Sequence, residues 1–522
     1  MSIAIATPHS VRPLSSRGIT WRTLVGPVTG GIGSGFEVAM TGTLAAPACV
    51  PARIRIQSLV LRFDPIEGQA GDEEGGMRIA VVGTGIAGSS AAWLLSRRHQ
   101  VTVLEGSARA GGHTDTIGVR LGDAGSREAF ERPIDTGFIV YNETTYPLLV
   151  RLFDELGVET QPSDMSWALR CERCDLEYAG DARGAFAQPR RLLDAEHLCM
   201  LGDIARFNRR GREAIGVLDG AGIHGALDAR THGGRVLDDG TAGDVGIGEF
   251  ITRHRLGDAF RRHYLLPMAA AIWSSGTSAV ERFPTRSLLA FFANHGLLGV
   301  RSHLAWRTVT GGSKRYLDAL LAPLEGSIEL GNAVTGVRRA PDGIVIATAD
   351  GRRRDFDAVV IATHPDDALR LLIDPSDDER DLLGAWTASD NERVVHTDAS
   401  LLPRRRRAWA SWNYHVEDCA APADSASLSY HMNRLQRIDA PEEIIVSINP
   451  PRAPAPGTVL RRDRVAHSTF SPAAVATQPD LDRLNGPRRT YFAGAWQRWG
   501  FHEDGLWSAV RVAAHLGVEW PR

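Results

Sequence analysis

The feature that most limits what this chain can fold into is the run Gly83-Thr84-Gly85-Ile86-Ala87-Gly88. It sits between an apolar stretch, Arg78 to Val82, and a stretch of helical period, Ile86 to Arg97, with a second apolar stretch from Gln100 to Glu105. Strand, glycine turn, helix and strand in that order make the opening of a parallel βαβ unit. Each glycine has a separate duty. The first allows the tight turn, the second lets backbone approach a pyrophosphate, and the third lets helix pack on strand, with the diphosphate at the positive helix end. Gly83, Gly85, Ala87 and Gly88 are therefore expected at a dinucleotide. Glu105, 20 residues beyond Gly85, ends the second strand, where a carboxylate accepts hydrogen bonds from ribose hydroxyls and repels a 2′-phosphate. NADP is thereby disfavoured.

The turn alone does not separate NAD from FAD, and two further segments favour the flavin. Arg109-Ala110-Gly111-Gly112-His113-Thr114 is a second glycine turn, where backbone can pass close to the phosphates and ribityl chain of an extended cofactor. Some four hundred residues later, Tyr491-Phe492-Ala493-Gly494-Ala495-Trp496 and Glu503-Asp504-Gly505-Leu506 supply another strand end and helix start, suited to the flavin end. The expected fold is α/β: a discontinuous Rossmann-type FAD-binding domain over residues 77–140, 285–380 and 480–522, with a mixed sheet-and-helix substrate domain over 141–284 and 381–479. The region 140–285 reads as mostly helical, with a Gly/Asp-rich loop around 231–246.

These residues carry a family resemblance. GxGxxG, an acidic residue, RxGG and a terminal FAG strand followed by a helix resemble the flavin amine oxidase and phytoene desaturase superfamily, over most of Met77 to Arg522. Asn294-His295-Gly296-Leu297-Leu298, Trp306-Arg307-Thr308-Val309 with Gly311-Gly312-Ser313, and Gly500-Phe501-His502-Glu503-Asp504-Gly505-Leu506 resemble a narrower bacterial branch of NAD/FAD-binding proteins associated with cyclopropane fatty acid synthases. The resemblance implies FAD contacts at Gly83, Gly85, Gly88, Glu105, Gly112, His113, Gly137, Val334, Gly494, Gly505 and Leu506, with Val334 on the adenine side. Arg109, Gly111, Ala495 and Asp504 complete the expected cofactor segments. Three departures matter. The lysine that amine oxidases carry in the substrate domain has no counterpart near Arg393 to Thr397, His502 stands where monoamine oxidases place a tyrosine, and Ala495 replaces the usual acidic residue. With no cysteine near the C-terminal flavin segment, the FAD is expected to be held non-covalently.

Composition sets the outer limits. A chain of 522 residues with 43% hydrophobic and 23% charged residues and a net charge of -3 is long enough for about two domains. It has no basic excess to recruit nucleic acid. Five cysteines without regular spacing fit a reducing, cytoplasmic setting, and no stretch is apolar for long enough to span a bilayer, which leaves peripheral contact at the inner membrane face. Cys171 and Cys174 form a lone CxxC without a second pair or clustered histidine; it is read as a turn between two short strands, and no metal is expected. Residues 1–76, rich in Gly, Pro, Ser, Thr and Arg, read as a poorly ordered extension, the Gly30–Gly35 run as loop, and Met77 as an alternative start.

A flavin accepts hydride at N5, so the protein has to place a C–H bond over the ring, exclude water and, in some reactions, provide a base. Candidate catalytic residues are His502 and Glu503 beside the flavin segment, His295 in the Asn-His-Gly turn, and Tyr414 in the cluster Trp412, Asn413, Tyr414, His415, Tyr430 and His431. Each histidine has an equally ordinary reading as a hydrogen-bonded structural residue. The resemblance implies a lipid acyl substrate, desaturated or isomerised, with a lipid methyltransferase as partner. The alternatives are an amine oxidase, a carotenoid-type desaturase, and a flavoprotein partner without turnover of its own.

Overall fold

The computed structural model describes residues 20–24, 39–43, 76–121, 130–215, 246–273, 276–299 and 304–520. The chain divides into two compact units, Met1–Glu74 and Gly75–Arg522. In the first, Thr20–Leu24 and Ala39–Thr43 pair antiparallel, so the extension read from composition as irregular carries at least one strand pair. The Gly30–Gly35 run lies outside the described residues, as does all of 231–246 except Gly246.

The second unit is organised by a five-stranded parallel sheet in the order Ile328–Leu330, Gln100–Glu105, Arg78–Val82, Ala358–Ile361 and Thr490–Phe492. Its strands come from three well-separated parts of the sequence. The central strands, Arg78–Val82 and Ala358–Ile361, are buried on both faces from Ile79 and Ala358 onward, which is why they read as apolar runs. Alternation decides which neighbour each residue meets. Ile79 and Val81 pack under helices Ile86–Leu95 and His502–His515, whereas Ala80 and Val82 face Val337, Ile344 and Ile346 of an antiparallel meander, Val334–Ala340, Gly343–Thr348 and Arg353–Phe356. The C-terminal helix lays Leu506, Ala509, Val512 and Ala513 against Ala91, Ala92, Leu94 and Leu95, all fully buried. Truncating Leu506 to alanine there costs about 2–5 kcal/mol.

The second sheet has seven strands, Leu176–Ala179, Trp167–Cys171, Trp412–Val416, Ser427–His431, Ile445–Ile448, Thr387–His396 and Val459–Thr469, all antiparallel except the pair Trp412–Val416 and Trp167–Cys171. Two of them arise inside the region read as mostly helical: Trp167–Cys171 and Leu176–Ala179 pair with one another across the CxxC turn, as expected of that turn, and join the sheet through Trp412–Val416. Helices Ala195–Ala214, Ile247–Arg253, Leu266–Trp273 and Thr285–Asn294 form an aromatic-rich core with this sheet. Among the described residues no helix is long and apolar enough to cross a membrane.

Candidate flavin site

Three glycine-bearing loops converge at the carboxyl end of the parallel sheet. In the first, Gly83 has φ +100°, a conformation that L side chains rarely adopt, and a side chain at Gly88 would meet the Gly83 carbonyl at 2.0 Å. Thr84, which the motif leaves unspecified, ties the loops together. Its N–H and hydroxyl donate to Glu105 Oε2 at 2.9 and 2.6 Å, and its oxygen accepts the Gly111 N–H at 2.9 Å. Ser107 N–H donates to the other Glu105 oxygen at 2.9 Å. Glu105 therefore braces the turn, and each oxygen keeps the acceptor capacity that the expected ribose contact would use.

Gly85 differs from its neighbours, since a Cβ there would meet no protein atom within 4 Å. It caps helix Ile86–Leu95 without a side-chain oxygen, leaving the first-turn N–H groups for a ligand. The second loop lies alongside, with Gly112 placed so that a Cβ would come 3.2 Å from Gly85 Cα. A side chain at Gly137 would run into the His113 carbonyl at 2.0 Å, and Phe138 N–H donates to that carbonyl. Asn332 N–H donates to the Glu105 carbonyl, bringing Val334 to the ribose end of the sheet. Gly505 packs on Ile86, and Ala495 lies against Gly505. Gly83, Gly85, Ala87, Gly88, Glu105, Gly111, Gly112, His113, Gly137, Val334, Gly494, Ala495, Gly505 and Leu506 thus belong to one neighbourhood. Buried Ser90 Oγ, His113 Nε2 and Trp496 Nε1 there have no protein partner. Open backbone at a helix start, glycines at close approaches and orphaned donors fit a bound dinucleotide.

Two expected cofactor residues have other duties. Arg109 donates to the Gly112 carbonyl at 2.9 Å and pairs with Asp115 at 3.3 Å, so it also shapes the second turn. Asp504 accepts the N–H groups of Phe501 at 3.0 Å and Trp499 at 3.2 Å, closing the start of the C-terminal helix. Burial pushes its carboxyl up to about 6.

The expected catalytic residues separate in the same way. His502 is buried, stacks on Phe138 with ring centroids 3.8 Å apart, and places Nε2 3.0 Å from the Tyr316 hydroxyl and 3.2 Å from Thr114 Oγ1. Tyr316 and Thr114 also bond one another. Burial lowers His502 to about 3, so the ring is neutral at ordinary pH. Glu503 accepts the N–H groups of Leu148 and Leu149, both at 3.0 Å, and so caps helix Pro147–Leu156; burial raises it to about 7. Its oxygens satisfy the start of that helix. His295 stacks on Phe291 at 3.9 Å and bonds its carbonyl through Nδ1, and burial lowers it to about 4. Tyr414 is 2% exposed inside the aromatic core, away from the loops just described.

Tertiary structure adds residues that no motif marked. His113 stacks on His467 and His364, with centroids 5.0 and 6.2 Å apart; burial holds all three below the ordinary histidine range, His467 at about 4. Asp135, raised by burial to about 6, accepts from Thr116 at 2.6 Å and from Ser313 N–H and Oγ at 2.8 Å, fixing the Gly311-Gly312-Ser313 loop. Arg393, in the segment without a lysine, is 2% exposed, bonds the Thr136 carbonyl and pairs with Asp115 and Asp463, each at 2.7 Å. Tyr316 lies three residues after Ser313 in a segment visible in the sequence, but its partner His502 is 186 residues away.

A family model described as flavin containing amine oxidoreductase matches residues 86–396, more than half of the chain. No curated protein matches the sequence. Among solved structures the chain is similar to a CLA-producing fatty acid isomerase from P. acnes, with TM-score 0.55 and 16% identity over 84% of this chain and 98% of that one. It is also similar to cyclohexylamine oxidase from Brevibacterium oxydans IH-35A, with TM-score 0.58 and 15% identity over the same shares, and to putrescine oxidase bound to putrescine, with TM-score 0.58 and 13% identity, again over the same shares. At such identities the likeness is one of fold.

Proposed function

The chain belongs to the flavin containing amine oxidoreductase family and is an FAD-dependent oxidoreductase, and from that premise we propose that its substrate is a lipid acyl chain, desaturated or isomerised at an unsaturated, methylated or cyclopropane-bearing position. The FAD supplies a hydride acceptor. The observation that carries the reading is the chemistry of the groups at the start of the C-terminal helix. Both acids there, Glu503 and Asp504, are occupied by backbone N–H groups. What remains is a neutral His502 with Phe138 and Tyr316, and Phe501 continues into Phe291, Trp273 and Phe283. These groups are apolar or uncharged, which supports a hydrocarbon substrate and the exclusion of water. His502, held at Nε2 by Tyr316 and Thr114, is neutral, with its ring stacked on Phe138.

The fatty acid isomerase of similar fold supports an acyl substrate. Resemblance to the branch associated with cyclopropane fatty acid synthases supports a lipid methyltransferase as the partner that makes that chain. Leu192 and Leu193, 54% and 93% exposed in the turn Pro189–Leu193, support peripheral contact with a membrane surface.

The test is anaerobic absorbance of the flavoprotein mixed with vesicles bearing each acyl class, in parallel with a panel of simple amines, followed by mass analysis of the lipids. Flavin reduction with a chain two hydrogens lighter identifies desaturation; unchanged mass with a moved double bond identifies isomerisation. Reduction by amines alone sinks the acyl reading in favour of an amine oxidase. Absence of any reaction supports a partner protein without its own turnover.

A further inference from the structure

The sequence shows Cys171-Glu172-Arg173-Cys174 as an isolated pair, yet folding brings two more metal-ligating side chains to it. Cys419, from the loop after strand Trp412–Val416, places its sulfur 3.3 Å from that of Cys174. His263 comes from a π-helical turn, Arg261–Leu265, a rare geometry that often marks functional positions. One ligand atom from each of Cys171, Cys174, His263 and Cys419 lies within 4.8 Å of every other. His263 is 3% exposed and its Nε2 has no hydrogen-bond partner, a cost that a buried imidazole rarely bears without cause. Nothing in the flavin chemistry uses any of these groups.

We propose that Cys171, Cys174, His263 and Cys419 bind a tetrahedral zinc ion that fastens the substrate domain. Ligands at about 2.3 Å from zinc stand roughly 3.8 Å apart around a tetrahedron, a spacing this cluster reaches with small side-chain adjustments. A disulfide would need the sulfurs at about 2.05 Å. Three thiolates and an imidazole are a soft donor set that selects zinc, and four protein ligands leave no open position, as in structural sites. Binding displaces the three thiol protons to solvent.

The surroundings suit the net negative charge of such a site. Arg191 donates to the Cys174 carbonyl at 2.9 Å, and Arg262 lies close to Cys174 and Cys419. The Tyr178 hydroxyl donates to the His263 carbonyl at 2.6 Å, holding the π turn. Glu172 and Arg173 N–H groups donate to the Val416 and Glu417 carbonyls, so the CxxC turn and the Cys419 loop are already in register. The ion would join three segments, the hairpin Trp167–Ala179, the turn at His263 and the loop at Cys419, that no single strand or helix connects.

The full-length flavoprotein, expressed with zinc in the medium, is analysed for metal by mass spectrometry and for reactive thiols. The expected result is about one zinc per chain, retained in Cys199→Ser, whose thiol is exposed and apart from the cluster, and lost in Cys171→Ser and Cys419→Ser. Because those two variants could fail to fold, the wild-type protein is also stripped with chelator and titrated with cobalt(II). Intense long-wavelength bands of tetrahedral thiolate-bound cobalt, beyond the flavin absorption, are expected, together with a lower thermal midpoint of the stripped protein at unchanged flavin content. Metal-free protein that gives no such bands, or a Cys174–Cys419 disulfide in the intact chain, overturns the assignment. Neither depends on what the flavin oxidises.

Discussion

Single side chains near the C-terminal helix show how burial redirects chemistry. Glu503 looks like a base from its position, but two backbone N–H groups claim its carboxylate. Replacing it with alanine is expected to lower stability by about 1–2 kcal/mol, seen as a lower thermal midpoint, while flavin content per folded molecule stays unchanged. A loss of flavin would contradict that role. The pH response follows from the same burial. Glu503, raised to about 7, binds a proton in the folded state before the unfolded chain does, so its contribution grows as pH falls from about 7 towards 4.5. His295, His396, His467 and His502, lowered to between about 3 and 4, act in the opposite sense, and stability is lost as pH falls from about 6.5 towards 4. The histidines being more numerous, acidification over that window is expected to destabilise the protein. Glu503→Gln lacks the opposing carboxyl and should lose stability more steeply, by up to about 3 kcal/mol relative to the parent. Melting curves at pH 7.5, 6 and 5 measure the difference, and a parallel pair of profiles would refute the assignment.

At the level of elements, the loops around helix Ile86–Leu95 separate folding from binding. Gly85→Ala adds a methyl that touches no protein atom, so the variant should fold with a midpoint shifted by no more than about 0.5 kcal/mol of stability. It should bind FAD weakly, because the methyl occupies the approach to the pyrophosphate. Flavin retention on desalting reads this out. Gly137→Ala is the contrast: its methyl lands on the His113 carbonyl, and poor folding with or without added FAD is expected. The turn Pro189–Leu193 offers a third test. Leu192→Asp with Leu193→Asp removes exposed apolar surface, and flotation with anionic vesicles should show weakened binding at unchanged flavin content. Undiminished flotation would sink the docking surface.

Across the molecule, the two sheets are clasped by charges as well as by apolar cores. Arg393 of strand Thr387–His396 reaches Asp115, just beyond the second glycine turn, and both are 3% exposed or less. Arg393→Met takes one of three guanidinium partners from buried Asp115, with Arg109 and Arg461 remaining at 3.3 and 3.0 Å, and should cost about 1–3 kcal/mol, with the double variant that adds Asp115→Asn losing less than the sum of the two single variants, as read by thermal unfolding of the flavoprotein. Losses that simply add in the double variant would show that the pair contributes little. Much of this architecture was legible beforehand, because its signals are local. Glycines at a strand-to-helix turn, the acid 20 residues on and the terminal strand-and-helix pattern report a dinucleotide sheet through short-range sterics and period-2 or period-3.6 burial. What stayed hidden depends on pairings that chain spacing does not encode. The two short strands expected on either side of the CxxC pair locally, but their place in the seven-stranded sheet comes through Trp412–Val416, and Thr84 is one unmarked residue of a motif until it meets Glu105 and Gly111. Glu503 carries the right chemistry for a site but is taken by the Leu148 and Leu149 N–H groups of a helix some 350 residues away in the chain, whereas the backbone groups that Asp504 and Arg109 bond lie within five residues of them. The CxxC is the sharpest case: sequence supplied two ligands, and long-range folding added His263 and Cys419. The sequence by itself therefore determined the cofactor scaffold, whose geometry is set within a few residues. Tertiary structure alone decided which polar side chains remain available to a ligand, because hydrogen-bond satisfaction in a buried interior is settled by neighbours distant along the chain.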